Sequence, residues 1–178
     1  MTINTKRLVI RPITADDLHS VFKWQSCAES RKYINTPLTD ISQSEENLKH
    51  SVEQWEGNHQ SYYGFGILLG DEMIGEVAIT YGCGGCGSCA PGEAVIGYIF
   101  DKDFWGNDYE SEVTEAMIEY CFSTLGAEKI FMCHAHEDTE TARVINSFGF
   151  QFHSEQKNEQ TDGKVYLENG YFLHNPTL

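Results

Sequence analysis

The feature that most constrains this chain is a change of hydrophobic period at one place. Ala94 to Phe100 is a short run of apolar, β-branched and aromatic residues of strand type, and Val113, Ala116, Met117, Tyr120 and Cys121 then recur at i, i+3, i+4, i+7 and i+8, one face of a helix that Gly126 closes. Between them stands the turn Asp101-Lys102-Asp103-Phe104-Trp105-Gly106-Asn107. A strand that passes through a turn into a helix aims the helix's first unpaired N–H groups at the strand end, which suits an anion. With one glycine in the turn, the same pattern is equally that of a plain connection, so the rest of the chain has to decide.

The other elements follow from the same periodicities. Arg7–Ile13 reads as an edge strand, and Thr14 with Asp17 caps a short helix carrying Leu18, Val21, Phe22 and Gln25. Ser42 with Glu45 marks a second helix, with Leu48, Val52 and Trp55 on one face and Gly57 as its stop. Tyr62–Leu69 and Met73–Tyr81 form a hairpin through Gly70-Asp71-Glu72. After the long helix come a strand over Lys129–Ala135, a helix over Thr139–Phe148, and strands over Phe150–Phe152 and Val165–Leu173. The predicted order is β-α-α-β-β-β-α-β-α-β-β, without internal repeat or linker, so residues 1–178 read as one α/β (α+β) domain.

Charge limits the partners. Twelve Lys and Arg against 27 Asp and Glu leave a net charge of −15, which repels nucleic acid and an anionic bilayer at long range. No apolar run approaches the ~18 residues of a membrane span, and Met1 to Arg7 shows no apolar signal core. A cytoplasmic protein is expected, a monomer or homodimer, with its six cysteines reduced. Cys83, Cys86 and Cys89 recur every third residue in a Gly-rich stretch. Soft thiolates in that pattern suit one structural zinc completed by a further ligand such as Cys133, His134 or His136, but no second Cys-x-x-Cys completes the set and a metal-free flexible hairpin is the preferred reading.

Three segments together resemble the GNAT N-acetyltransferases, and most closely the ribosomal-protein alanine acetyltransferase-like (RimJ/RimL-like) branch. They are Ile96-Gly97-Tyr98-Ile99-Phe100-Asp101, Trp105-Gly106-Asn107-Asp108-Tyr109-Glu110-Ser111-Glu112, and Arg143-Val144-Ile145-Asn146-Ser147-Phe148-Gly149-Phe150. Thr5–Pro12 resembles the family's opening strand and Tyr166–Leu173 its last. The resemblance implies a mostly antiparallel sheet splayed between Val95–Phe100 and Ile130–His136. It implies acetyl transfer from acetyl-CoA to a primary amine, a protein N-terminus or a small molecule, by direct attack in a ternary complex.

On that resemblance, backbone donors near Ile99 and Phe100 hold the thioester, and the amides of Gly106, Asn107, Asp108, Tyr109, Glu110 and Ser111 hold pyrophosphate. The family's Asn and Ser before the last helix fall on Asp138 and Thr141, its Arg on Arg143, and its occasional catalytic Tyr on Ile145. Thr141 is then a candidate proton donor to the leaving thiolate, and Glu93, on the strand where the family often carries an acid, a candidate base. Asp108 and Glu110 stand where the family has small residues. They favour the positive end of the helix yet repel a pyrophosphate, so a non-catalytic relative that has lost coenzyme A is the alternative reading.

Overall fold

Strand alternation and two helix stripes sort the apolar residues onto the two sides of a single sheet. The computed structural model describes residues 1–34, 37–57, 61–82, 90–160 and 162–177. In chain order the elements are β1 (Ile3–Asn4), β2 (Val9–Pro12), α1 (Leu18–Gln25), α2 (Ile41–Glu56), β3 (Tyr62–Leu69), β4 (Glu72–Tyr81), β5 (Glu93–Phe100), α3 (Tyr109–Ser123), β6 (Lys129–Ala135), α4 (Thr139–Ser147), β7 (Gln151–Glu159) and β8 (Val165–His174). The strands form an eight-stranded sheet in the order β1-β2-β3-β4-β5-β6-β8-β7. Among the described residues only β5 and β6 are parallel neighbours.

The two faces are covered differently. Ala94, Ile96, Phe100, Ile130 and Met132 pack with Val113, Met117 and Cys121 of α3 and Ile145 of α4. On the other face Met73 and Ile99 pack with Val21 and Trp24 of α1 and Leu48 of α2. Such two-sided cover is what a mixed central sheet requires.

The expected order holds, with local corrections. A two-residue strand, β1, adds to the edge of β2. The α2 cap is Asp40, whose carboxylate accepts the Ser42 amide at 3.0 Å, so the helix is capped two residues before the predicted Ser42–Glu45 box. β7 runs from Gln151 to Glu159 rather than stopping at Phe152. Its exposed, polar sequence lacks the alternation that marks a half-buried strand, and its pairing with β8 alone maintains it.

The predicted Thr14–Asp17 cap is present and larger than expected. The Thr14 amide and hydroxyl both donate to Asp17, at 2.8 and 3.0 Å, and Arg11 of β2 grips the same carboxylate through two nitrogens at 2.7 and 2.8 Å. Burial pushes the Asp17 carboxyl up, but the Arg11 and Thr14 hydrogen bonds outweigh it and leave the group below its ordinary range. Asp17→Asn is therefore expected to cost about 2 kcal/mol of stability at neutral pH, measured by urea unfolding. Because the folded-state pKa is depressed, this contribution is present above pH ~4 and disappears as the pH falls through the folded value, so wild type and variant converge in acid.

Candidate active site

The site begins where two neighbouring strands part. β5 and β6 pair at Glu93 with Lys129, Ala94 with Ile130 and Val95 with Phe131, and no further. Beyond Val95, β5 follows β4 and β6 follows β8, opening a wedge toward the start of α3. Backbone direction in the wedge is fixed by parity. The Asp101 amide donates to Ile74 and the Gly82 amide to Glu93, so odd-numbered β5 residues turn their N–H and C=O toward β4. The amides facing the wedge are thus those of Tyr98 and Phe100. Of the two expected positions, the Ile99 backbone faces β4 and the Phe100 backbone faces the wedge.

At the wide end the loop is shaped for close approach. Gly106 has φ 75 and Asp108 φ 59, both in the left-handed region. Asn107 Nδ2 braces the loop from within, donating to Phe104 and Trp105 at 2.9 and 3.3 Å. The amides of Gly106, Asn107, Asp108 and Tyr109 meet no acceptor among the described residues. Arg7 secures the outside of the turn: it donates to Asn107 O at 2.9 Å and Asp108 O at 3.2 Å, pairs with Glu112 at 2.7 Å, and lies 4.5 Å over the Tyr109 ring.

The two acids of this loop behave differently. Asp108 turns its carboxylate onto Arg143 and the Ser111 hydroxyl, both at 2.7 Å, and these bonds hold it below its ordinary pKa. Glu110 is pushed up by burial, with the Asp108 charge acting in the same sense. A dianionic group at the free amides would therefore meet Asp108 already shielded by Arg143. The residues present fit a pyrophosphate, with Arg143 as the cation within reach.

Inside the wedge, the Tyr98 side chain is directed to the α3/α4 side. Its hydroxyl is buried beside those of Thr114 and Thr141 but forms no hydrogen bond of good geometry with either, and the Thr114 hydroxyl is likewise unpartnered. Burial pushes the phenol pKa well up, with Thr141 only partly offsetting it. Asp138 caps α4 by accepting from the Thr141 amide at 3.1 Å and hydroxyl at 2.8 Å. Ile145, wholly buried, is core. Two adjoining orphaned hydroxyls at the foot of an open strand edge mark a place for a polar ligand.

On the opposite face, Gly97 is exposed although it sits in a central strand, and a Cβ added there would meet nothing within 4 Å. This is open space directly over the sheet. Glu93 lies instead at the joined end of the wedge. Its carboxylate accepts from the Ala90 amide at 2.9 Å and Lys129 at 3.2 Å, and the first of these does most to lower its pKa. Sequence reasoning missed Tyr98 as a side chain of interest, although it lies within the Ile96–Asp101 segment, because nothing local shows that its hydroxyl is buried without a partner. Cys83, Cys86 and Cys89 lie outside the described residues. Among the described residues no three His, Cys, Asp or Glu side chains gather as a metal site, and no helix is long and apolar enough to cross a membrane.

The loop geometry carries its own test. Asp108→Gly keeps the left-handed turn, removes one negative charge and frees Arg143. It is expected to tighten coenzyme A about fivefold by calorimetry, the equivalent of one screened like-charge contact.

The comparisons with known proteins agree with this layout. Residues 7–151 match the Acetyltransferase (GNAT) domain. The uncharacterized N-acetyltransferase p20 of Bacillus licheniformis is 28% identical over 155 residues, spanning 84% of this chain and 82% of that protein. Among solved structures, RimL, a ribosomal α-N-protein acetyltransferase in complex with coenzyme A, superposes with a TM-score of 0.82 at 15% identity over 98% of both chains. RimJ of Mycobacterium smegmatis, also in complex with a coenzyme A disulfide, superposes with a TM-score of 0.82 at 17% identity, covering 100% of this chain and 89% of that one. With the wedge, the amide-lined turn and the family match in place, the chain belongs to the GNAT acetyltransferases and is an enzyme of that type.

Proposed function

We propose that the protein transfers an acetyl group from acetyl-CoA to a primary amine, a protein N-terminus or a small molecule, by direct attack within a ternary complex. The observation that carries this reading is the wedge itself, with unpaired β5 amides on one edge and a free glycine surface on the other face. Pyrophosphate is held by the amides of Gly106 to Ser111 and by Arg143, and pantetheine lies along the open edge of β5. The Phe100 and Tyr98 amides are the donors available to the thioester carbonyl, where charge develops during attack. The acceptor approaches over Gly97, on the α1/α2 side.

Departure of the thiolate calls for a proton or a hydrogen bond at sulfur. Tyr98 is suited to this role because its raised pKa keeps the phenol protonated and its hydroxyl has no other acceptor. Thr141 holds Asp138 and orients the same corner. Resemblance alone had placed the donor on Thr141, so the phenol is an addition to that expectation.

A thiol-release assay with acetyl-CoA and a panel of primary amines tests the reading. Amine-dependent release is expected, and its absence together with no calorimetric heat at near-millimolar acetyl-CoA would move the chain to a non-catalytic role. Tyr98→Phe should lower kcat about 100-fold while raising rather than lowering Tm, since it removes a buried unpartnered hydroxyl. Gly97→Leu should abolish transfer to bulky acceptors while acetyl-CoA still binds, because the added side chain fills open space on the acceptor face alone.

A further inference from the structure

A polar set that the acetyl-transfer chemistry above does not use lies on the acceptor face. Glu76 of β4 is the cross-strand partner of Ile99, and Ala78, two residues on, is the partner of the open Gly97. Directly paired residues share a face, so the Glu76 carboxylate stands at the edge of the free space over Gly97. Trp24 Nε1 and Gln25 Nε2 both donate to the same oxygen, Oε1, at 3.1 and 3.2 Å. Oε2 forms no hydrogen bond among the described residues. Burial is the main reason the carboxyl is raised from its ordinary pKa, against the two hydrogen bonds and the Arg31 charge.

The second member comes from the segment after α1. Leu38 N bonds back to Gln25 O at 2.8 Å, and Gln160 Nε2 reaches Lys32 O at 2.9 Å, so this segment runs from α1 to the β7–β8 end of the sheet. There a groove of about 270 Å³ is lined by Lys32, Tyr33, Glu137, Lys164, Val165 and Tyr166. Within the segment Arg31 is half-buried, its Nε is fully buried without a partner, and it forms no ion pair with any described residue. Burial lowers its pKa, and the nearby Glu76 charge opposes that. The Ser30 hydroxyl beside it is also buried and unpartnered. A guanidinium whose Nε is desolvated without an acceptor is costly, and a carboxylate, with its formal charge and two oxygens, satisfies it better than a neutral carbonyl.

We infer that Glu76 and Arg31 form the acceptor subsite and select a small zwitterion, an amine bearing a carboxylate on the adjacent carbon: Glu76 receives the ammonium and Arg31 the carboxylate. This rests on the acetyl-transfer reading. The two protein charges are of opposite sign and too far apart to pair with each other, and a zwitterion placed between them satisfies both. The amine then loses a proton to Glu76 and attacks the thioester carbonyl. The N–C bond forms as the C–S bond breaks, the leaving sulfur takes a proton from the Tyr98 phenol, and the second N–H proton returns through solvent to the phenolate, leaving a neutral amide and free thiol. The set Trp24, Gln25 and Ser44 holds Glu76 from α1 and α2: the Ser44 hydroxyl donates to Gln25 Oε1 at 2.7 Å, fixing the amide flip that aims Nε2 at Glu76.

The experiment compares L-amino acids, their amides, the matching amines without the carboxylate, and short peptides, all at saturating acetyl-CoA. The expected result is a kcat/KM at least tenfold higher for the best amino acid than for its amide, and higher again than for the plain amine. Arg31→Gln is expected to bring the amino acid to amide ratio close to one, and Arg31→Lys to keep part of it. Glu76→Gln should lower kcat for every acceptor. Equal rates for amino acid and amide in the wild type, a ratio unchanged in Arg31→Gln, or a preference for peptides would each overturn the inference. Should no amine release thiol from acetyl-CoA, the acetyl-transfer reading fails, and calorimetry without acetyl-CoA then judges the subsite by itself. Binding of the amino acid that is lost in Arg31→Gln upholds it, and no amino-acid binding to the wild type overturns it.

Discussion

Everything at this site depends on β5 and β6 pairing for three residues and then separating. Each strand is satisfied along one edge, β5 by β4 and β6 by β8, so the separation strips hydrogen-bond partners from only the facing edges. A buried N–H or C=O without a partner costs about 1–3 kcal/mol. Such an edge is retained only where a ligand or water completes it, and it supplies donors already aligned. The joined end is fastened correspondingly well: the Glu128 amide donates to Gly92 O at 2.7 Å, Lys129 pairs with Glu93, and Asn175 Nδ2 holds Ala127 O at 3.0 Å. The wedge is therefore a rigid opening held at its apex, and Glu93 belongs to that apex.

The second constraint is charge. A chain with net charge −15 has few cations to spend on an anionic ligand, and it places two of its arginines around one turn. Arg7 neutralises Glu112 and caps the carbonyls of Asn107 and Asp108, while Arg143 neutralises Asp108. Acids in the first turn of α3 strengthen the helix through its dipole, and the arginines keep those acids from closing the turn to phosphate. The exposed Arg143–Asp108 pair contributes little to stability, so exchanging its partner for a phosphate oxygen is nearly free of cost to the fold.

What the sequence disclosed divides by range. Elements with a clear period, such as α3 with its Val113, Met117 and Cys121 stripe, were legible because local spacing alone decides them. The Gly106–Ser111 turn was legible as a place, since strand, glycine and helix follow one another. The identity of the strand donors was not, because parity is set by the β4 register, and a shift of one residue exchanges Ile99 for Tyr98 and Phe100. β7 was shortened in the reading because an exposed strand held by one neighbour needs no apolar alternation. Arg31 and Glu76 gave no signal: a lone Arg in a loop and a lone Glu in a strand come near each other only when α1 and the segment after it fold against β4.

The same sheet thus presents opposite chemistry on its two sides at one strand. Tyr98 directs a protonated phenol to the α3/α4 side, its neighbour Gly97 exposes bare backbone on the α1/α2 side, and Glu76 places a carboxylate beside that opening. Alternation along β5 places the group suited to the leaving sulfur and the surface open to the incoming amine on adjacent residues, about 3.3 Å apart along the strand. For a reaction in which an amine displaces a thiolate at one carbon, this spacing lets proton removal and proton supply act from opposite faces without either group meeting the other. A Tyr and a carboxylate on the same face would instead hydrogen-bond to each other, and the β4–β5 register, which pairs Glu76 with Ile99 rather than Tyr98, puts the two groups on opposite faces.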